Sequence, residues 1–442
     1  MFVCVPSAGT RGRTRWGAMA PVRATVQAVP LVATAIVMLD AATDFFPDAP
    51  LVGVITPVRL AVLAGLVATA VTAPGLATFR TRLDPAIALL LLGAVATTYV
   101  GGHPVPPLRA LITALATFYL VVGVRRAQPD SWRAVALLAL AAVTAAATTA
   151  FSQVTNEVPT GFCRTGLFTD VDCDSGGSGA MIRATGTFAN PNLLAAFLVL
   201  LTPFALLAAV TVAERTARVA VVSVGLLAYG AVLTTFSRAG CVAAAAGLLV
   251  LGGAYWLAPR LGRWGVRTLT TVGLAGLVAV TVALWVVSRA GDALGVRGQA
   301  WKAAVDLAMD HPLGIGLGRA GDAVSAAVPG GRTFVHAHNM WLNWLAEAGV
   351  AGLLGMVLVT VIAVASAVRA AREKSVAGVV GLAALTGFFL AATVDHPANL
   401  DRIAMLFWLV LGLVMAEVPG GWRESGAPAR ATGRSGRRAR RH

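Results

Sequence analysis

The feature that most constrains this chain is the recurrence of apolar runs about as long as a bilayer is thick. Twelve can be read, at 25–43, 51–73, 84–100, 108–124, 132–151, 190–213, 217–236, 239–257, 266–287, 341–368, 376–394 and 403–417. A helix that crosses a membrane needs about 20 mostly apolar residues. Inside hydrocarbon every backbone amide must pair within its own segment, so these runs are predicted to be helices. Composition agrees. Of 442 residues, 57% are hydrophobic and 12% are charged, where a soluble domain carries roughly 25% charged residues. Too little charge remains to coat a water-soluble surface, which excludes a soluble enzyme, a disordered chain and a coiled coil. The expectation is an all-α polytopic membrane protein of about twelve spans.

The charge pattern sets a topology. Net charge is +15, from 35 Lys+Arg against 20 Asp+Glu. A basic chain can suggest nucleic acid. Here the charges lie between the apolar runs and in the tail, so membrane lipids are the expected contact and nucleic acid is not. With the N-terminus in the cytoplasm, 24 of the 35 basic residues fall on the inner side. They include Arg80, Arg82, Arg125, Arg126, Arg133, Arg215, Arg218, Arg260, Arg263, Arg267, Arg369, Arg372 and Lys374. This obeys the positive-inside rule.

The predicted organisation follows. A basic cytoplasmic N-terminus occupies 1–24, and five spans lie in 25–151. An extracytoplasmic loop covers 152–189, and four spans lie in 190–287. A large extracytoplasmic loop with short helices covers 288–340, three spans lie in 341–417, and a basic tail, read as disordered, covers 418–442. The N-terminus lacks a signal-peptide core and cleavage site. The first run is therefore expected to stay as a helix, with Met19 an alternative start. Only two of the basic residues are lysines, Lys302 and Lys374, a bias that reads as high-GC coding.

Eleven basic residues oppose the topology bias and fall outside, as do five of the six histidines. Chemistry is therefore expected in the outer loops. Cys163 and Cys173 lie ten residues apart in the first of these. An outward-facing loop favours a disulfide between them, and two free thiols are the other reading. Zinc-type Cys and His spacings are absent, and no metal or other cofactor is expected.

Three segments stand out. In RATGTFANPN (183–192), Asn190 and Asn192 flank Pro191 where a span begins, which suits a helix cap. Arg183 beside it makes an anion site at that helix start. In SRAG (237–240), Arg238 interrupts two apolar runs, where a charge is expensive and usually functional. In HAHNMWLNWLAEAG (336–349), His336, His338 and Asn339 lead into a span, with Glu347 about two turns inside it. Neutral His at such a surface suits a general base, and capping is the plainer role. A metal held by the histidines is the weakest reading, because no acid sits at ligand spacing. Segment 297–309 is predicted as an amphipathic helix with Trp301 on its apolar face and Arg297 one turn earlier. HPLGIGLG (311–318) reads as a turn-rich connection. Arg59 and Arg109 are expected to pair with Asp40, Asp44 or Asp48.

These segments, in this order, resemble the O-antigen ligase/O-antigen polymerase family of bacterial membrane proteins. The residues that match are GTFANPN, SRAG, RGQAWKAA followed by HPLGIGLG, and HAHNMWLNWLAEAGVAGLLG, over about 180–360. The resemblance implies a GT-C-like, metal-independent, inverting glycosyltransferase of the cytoplasmic (inner) membrane, with its active site on the extracytoplasmic face. Its donor would be an undecaprenyl-diphosphate-linked glycan and its acceptor a glycan or lipid-linked molecule. Arg183, Arg238 and Arg297 would then bind the diphosphate. His338 would be the catalytic base or orienting group, with His336 a second candidate. Asn190, Asn192, Trp301, Asn339 and Glu347 would support them. If the source makes no lipopolysaccharide, lipid A-core is the wrong acceptor. The competing classes are a twelve-helix secondary transporter or flippase, a structural partner in a glycan-assembly complex, and a cell-shape type peptidoglycan glycosyltransferase using Asp306, Asp310 or Asp322.

Overall fold

The computed structural model describes residues 19–47, 49–165, 169–171, 173, 180–257, 295–373 and 375–418. The expected span at 266–287, the Gly/Ser stretch at 174–179, most of the N-terminal segment, the basic tail from 419 and Asp48 lie outside the described residues.

The chain is mostly helical. The helices are α1 (Met19–Thr43), α2 (Pro57–Thr72), α3 (Asp84–Tyr99), α4 (Pro106–Ala127), α5 (Trp132–Thr155), α6 (Pro191–Thr211), α7 (Arg215–Thr234) and α8 (Arg238–Leu257). They continue with α9 (Gly295–Asp310), α10 (Ala320–Ala327), α11 (Met340–Arg372), α12 (Val376–Ala392) and α13 (Asp401–Ala416). Among the described residues six helical stretches are long and apolar enough to cross a membrane: Val26–Thr43, Pro106–Ala127, Pro129–Thr155, Pro191–Thr211, Arg215–Thr234 and Met340–Arg372. Helices α2, α3 and α12 and most of α8 are apolar but shorter.

Local chemistry fixes where these helices start. Pro57, Pro106 and Pro191 stand at first helical positions, where a missing N–H loses nothing. Thr56, Asn190, Asn339 and Ser375 cap α2, α6, α11 and α12 by accepting backbone N–H bonds, which satisfies donors that a helix start leaves orphaned. Helix α6 is the centre of the bundle. It packs against α5, α7, α8 and α12, and 89% of it is buried. Its apolar character all round, from Leu193 to Ala209, is what such a position needs. Helices α3 and α11 approach closely through glycine. A Cβ on Gly355 would come within 2.8 Å of the Leu90 backbone. Small residues at crossings let apolar helices pack where lipid gives no hydrophobic drive.

Two expectations are corrected. The polar loop after α5 holds a small antiparallel sheet, with β1 (Cys163–Thr165) between β2 (Thr169–Val171) and β3 (Met181–Ile182). Its short Thr, Val and Ile segments carry no period long enough to show in the sequence. Cys163 and Cys173 are joined across it, with Cα atoms 4.9 Å apart. Asp44 does not pair with Arg59 or Arg109. Its carboxylate lies 3.3 Å from Arg402, on α13, while Arg59 donates to the Val54 carbonyl at 2.8 Å. The fold brings the end of α1 beside the start of α13, and Arg402 also donates to Thr187 O at 3.0 Å.

Candidate functional site

The site forms where the starts of α6, α11 and α13 meet the end of α12. The chain enters α11 through Phe334–Asn339. Asn339 caps α11 by accepting from Leu342 N at 3.0 Å, and its amide donates to Thr393 O at 2.9 Å. That second bond ties the start of α11 to the end of α12. Two residues past Thr393 stands Asp395, whose carboxylate is the hub of the site.

His336 Nε2 lies 3.0 Å from Asp395 Oδ1. The other nitrogen of His336, Nδ1, accepts the backbone N–H of His338 at 3.0 Å. An imidazole that accepts at Nδ1 carries its proton at Nε2, so His336 donates to Asp395. His338 Nδ1 approaches the same oxygen at 3.7 Å, too far for a hydrogen bond, and it is a buried atom without a partner. Asn192 donates to Asp395 Oδ2 at 3.0 Å, and the backbone N–H of His396 donates to Oδ1 at 2.8 Å. Burial pushes the Asp395 carboxyl up, but the histidines beside it outweigh burial and hold it well below the usual carboxylate range. It is a carboxylate at neutral pH. Burial, and then its neighbour His336, push His396 down to about 3, so that ring is neutral.

His338 has a left-handed backbone, with φ of 53°, a conformation uncommon outside glycine. It is held there from both sides. Its carbonyl accepts the Trp301 indole N–H at 2.9 Å, and its own N–H goes to His336. Strain kept by such over-determination concentrates at functional positions. The His338 side chain is 26% exposed, against 6% for His336. One imidazole is locked, and the other is open with a ring nitrogen free.

The glycine-rich turn 311–318 explains itself here. Ile315 N and Gly316 N donate to Ala346 O and Glu347 O, at 2.9 and 3.2 Å. Helix α11 is broken at Gly349, with φ of 66°, and a Cβ on Gly314 or Gly349 would collide with the facing backbone. Glu347 accepts from Ala320 N at 3.2 Å, so its carboxylate holds the start of α10 rather than joining His338.

Of the residues singled out from sequence, the fold gathers Asn192, Trp301, His336, His338 and Asn339 around Asp395. Asn190 caps α6, accepting from Asn192 N and Leu193 N at 2.9 and 3.1 Å. Arg183 is partly buried and donates through Nε to Thr235 O at 3.0 Å, three residues before Arg238. Arg238 is exposed at the first position of α8, and Arg297 is half-buried on α9, one turn before Trp301. Arg164, whose guanidinium bonds Phe236 O at 2.9 Å, braces the same α7–α8 break.

Asp395 is the residue that sequence reasoning missed. Its signal is the Asp-His-Pro that follows an apolar run, a polar cluster like the one at 336–339. Gln153 was missed too. It accepts from Thr185 N and Gly186 N, at 3.0 and 2.8 Å, and so fixes the loop that leads into α6.

His336, His338 and Asp395 can bring one ligand atom each to within 4.8 Å of one another, a grouping that could hold a metal ion. Both ring nitrogens of His336 are already engaged in hydrogen bonds, so a metal would have to displace the His336–Asp395 contact. A family model described as O-antigen ligase matches residues 219–357. That stretch carries Arg238, Arg297, Trp301, His336, His338, Asn339 and Glu347; Arg183 and Asn192 precede it and Asp395 follows it. No curated protein matches the chain. Over those residues the chain is similar to the O-antigen ligase family.

Proposed function

We propose that this is a membrane glycosyltransferase that moves a glycan from undecaprenyl diphosphate onto an acceptor hydroxyl. The observation that carries this reading is the Asp395-centred cluster, with one locked and one open imidazole, at the entrance to α11. His338 is the base. With Nδ1 turned toward Asp395, Nε2 is left for the acceptor hydroxyl, and the fixed carboxylate stabilises the imidazolium that forms. The acceptor oxygen attacks the anomeric carbon as the bond to the diphosphate oxygen breaks. The proton passes to His338, and the electron pair leaves on the diphosphate. Attack from the opposite face inverts the anomeric configuration.

Arg183, Arg238 and Arg297 hold the diphosphate. Fixed guanidinium groups suit phosphate oxygens in paired geometry and stabilise charge where it develops. With those cations present the reaction needs no metal. In this reading the chain has about twelve spans in a GT-C-like plan. It sits in the cytoplasmic membrane, and the Asp395 end faces outward, away from the arginine-rich inner loops. The acceptor is a second lipid-linked unit or another envelope glycan.

The test is complementation of a deletion strain, with lipid-linked and surface glycans resolved on a gel. Loss of the ladder with single units left on the lipid means polymerisation; full-length polymer stranded on the lipid means ligation. His338→Ala is expected to reproduce the deletion, with transfer down about 10²–10⁴-fold, and EDTA is expected to leave the wild type active. Full activity in His338→Ala would sink the assignment.

A further inference from the structure

Asp395 and His396 are consecutive but serve different spaces. Asp395 faces the two histidines, whereas His396 lines a half-open cavity of about 420 Å³ between α2, α4, α11 and α13. His396 is 4% exposed, and its Nδ1 is a buried polar atom with no partner. That atom has almost no accessible surface, so His396 contributes wall to the cavity rather than a hydrogen bond. The ring lies only 5.9 Å from that of His336, so whatever fills the cavity lies beside the Asp395 cluster.

The lining says what chemistry fits. Arg59 is the one cation among the lining residues, against two carboxylates, Glu347 and Asp401. That balance disfavours a phosphate or diphosphate. Trp344 contributes indole surface, on which the C–H face of a pyranose ring packs, while the Asp401 carboxylate and the Asn399 amide take its hydroxyls. Polar groups converging in a largely apolar pocket of this size mark a small-molecule site, with room for about two sugar rings.

We propose that this cavity is a neutral-sugar subsite that holds the acceptor's terminal sugar, with Asp401 and Asn399 as hydrogen-bond partners to its hydroxyls. That the sugar belongs to the acceptor rests on the glycosyltransferase reading above. That the cavity takes a neutral sugar does not. The diphosphate of the donor lies elsewhere, at the arginines.

The test uses the full chain in phosphatidylcholine nanodiscs and saturation-transfer NMR. The probes are the methyl glycosides of glucose, galactose, mannose, rhamnose and N-acetylglucosamine. At least one is expected to bind. Ala110→Trp, which fills the cavity, abolishes that binding, and Asp401→Asn weakens it at least tenfold without removing the helix start. Inorganic phosphate does not compete, and His338→Ala leaves binding intact. If no glycoside binds, if binding survives Ala110→Trp, or if phosphate displaces the sugar, the proposal fails. A phospholipid found seated in the cavity by native mass spectrometry also overturns it. Sugar binding without any glycan transfer would sink the enzyme reading and leave the subsite standing.

Discussion

The two ends of the helix bundle are both polar, but they use polarity differently. At one end arginines close off helix termini. Arg126 donates to the carbonyls of Thr78, Arg80, Met415 and Val418, at 2.9, 2.7, 3.1 and 3.0 Å. Glu417 accepts from Trp132, Ser375 and Arg125, and the Arg125 guanidinium sits 4.2 Å over the Trp132 ring. These bonds satisfy carbonyls that helix ends leave orphaned. At the other end, Asp395 collects donors from Asn192, His336 and the His396 backbone, and the buried atoms left over there include the Nδ1 atoms of His338 and His396 beside Asn343 Nδ2 and Arg402 Nη1. At the arginine end one such atom is Nε of Arg125, which only donates and stays protonated. An imidazole nitrogen can take a proton and return it. The arginine end is built to hold, and the histidine end retains groups that can react.

The largest test of that contrast sets Asp395→Asn against substitutions at the arginine end. Asp395→Asn keeps the shape but removes the charge that would stabilise the imidazolium. Transfer is expected to fall about 10²–10³-fold, within the range for acid–base groups, in a protein that still purifies as a folded species. Arg126→Met should do the reverse. It strands several carbonyls and lowers stability by about 2–3 kcal/mol, while transfer per folded molecule stays near wild type. Thermal unfolding in detergent and radiolabelled glycan transfer separate the two. Equal activity losses at both ends would remove the distinction.

That contrast was partly legible in the sequence. The apolar runs announced the helices because length and hydropathy are local properties, and HAHN and GTFANPN announced the site because several polar residues cluster at a span start. Asp395 was not legible, because its role comes from α12 and α13 folding back onto residues some 60 and 200 positions away. Arg402 was hidden for the same reason: it looked like a stray cation, and its partner, Asp44, is on the far side of the chain. The split within the motifs was invisible too. Asn190 and Asn192 look alike in sequence, yet one caps a helix and the other reaches the site.

A smaller effect should appear with pH. His396 has a folded pKa of about 3, below its ordinary 6.5, so the unfolded chain binds its proton first as pH falls. Its stability contribution is complete above pH 6.5 and is lost on the way down to 3. Each pH unit in that window removes up to about 1.4 kcal/mol. The Asp395 carboxyl, also held low, adds its loss only below about pH 4. His396→Gln is expected to flatten thermal stability between pH 6 and 4.5, a window in which the guanidinium groups of the arginine end do not titrate. An unchanged slope in His396→Gln would place the acid sensitivity elsewhere.

The finest cut lies between the two asparagines. Asn192→Leu removes one hydrogen bond to the Asp395 carboxylate, a bond of about 1.5 kcal/mol for a charged acceptor. The carboxylate keeps its bonds from His336 and the His396 backbone, so it stays ionised but less firmly aimed. Transfer is expected to fall about tenfold, with little change in melting temperature. Asn190→Ala takes away the α6 cap, for which about 1 kcal/mol of stability is the usual loss, and Asn192 keeps its reach to Asp395. Its transfer rate should therefore stay within about twofold of wild type, while its melting temperature drops. If the pattern reverses, with Asn190→Ala the slower enzyme, then Asp395 is positioned by the start of α6 as a whole, and the carboxylate's aim depends on helix rigidity more than on any single hydrogen bond.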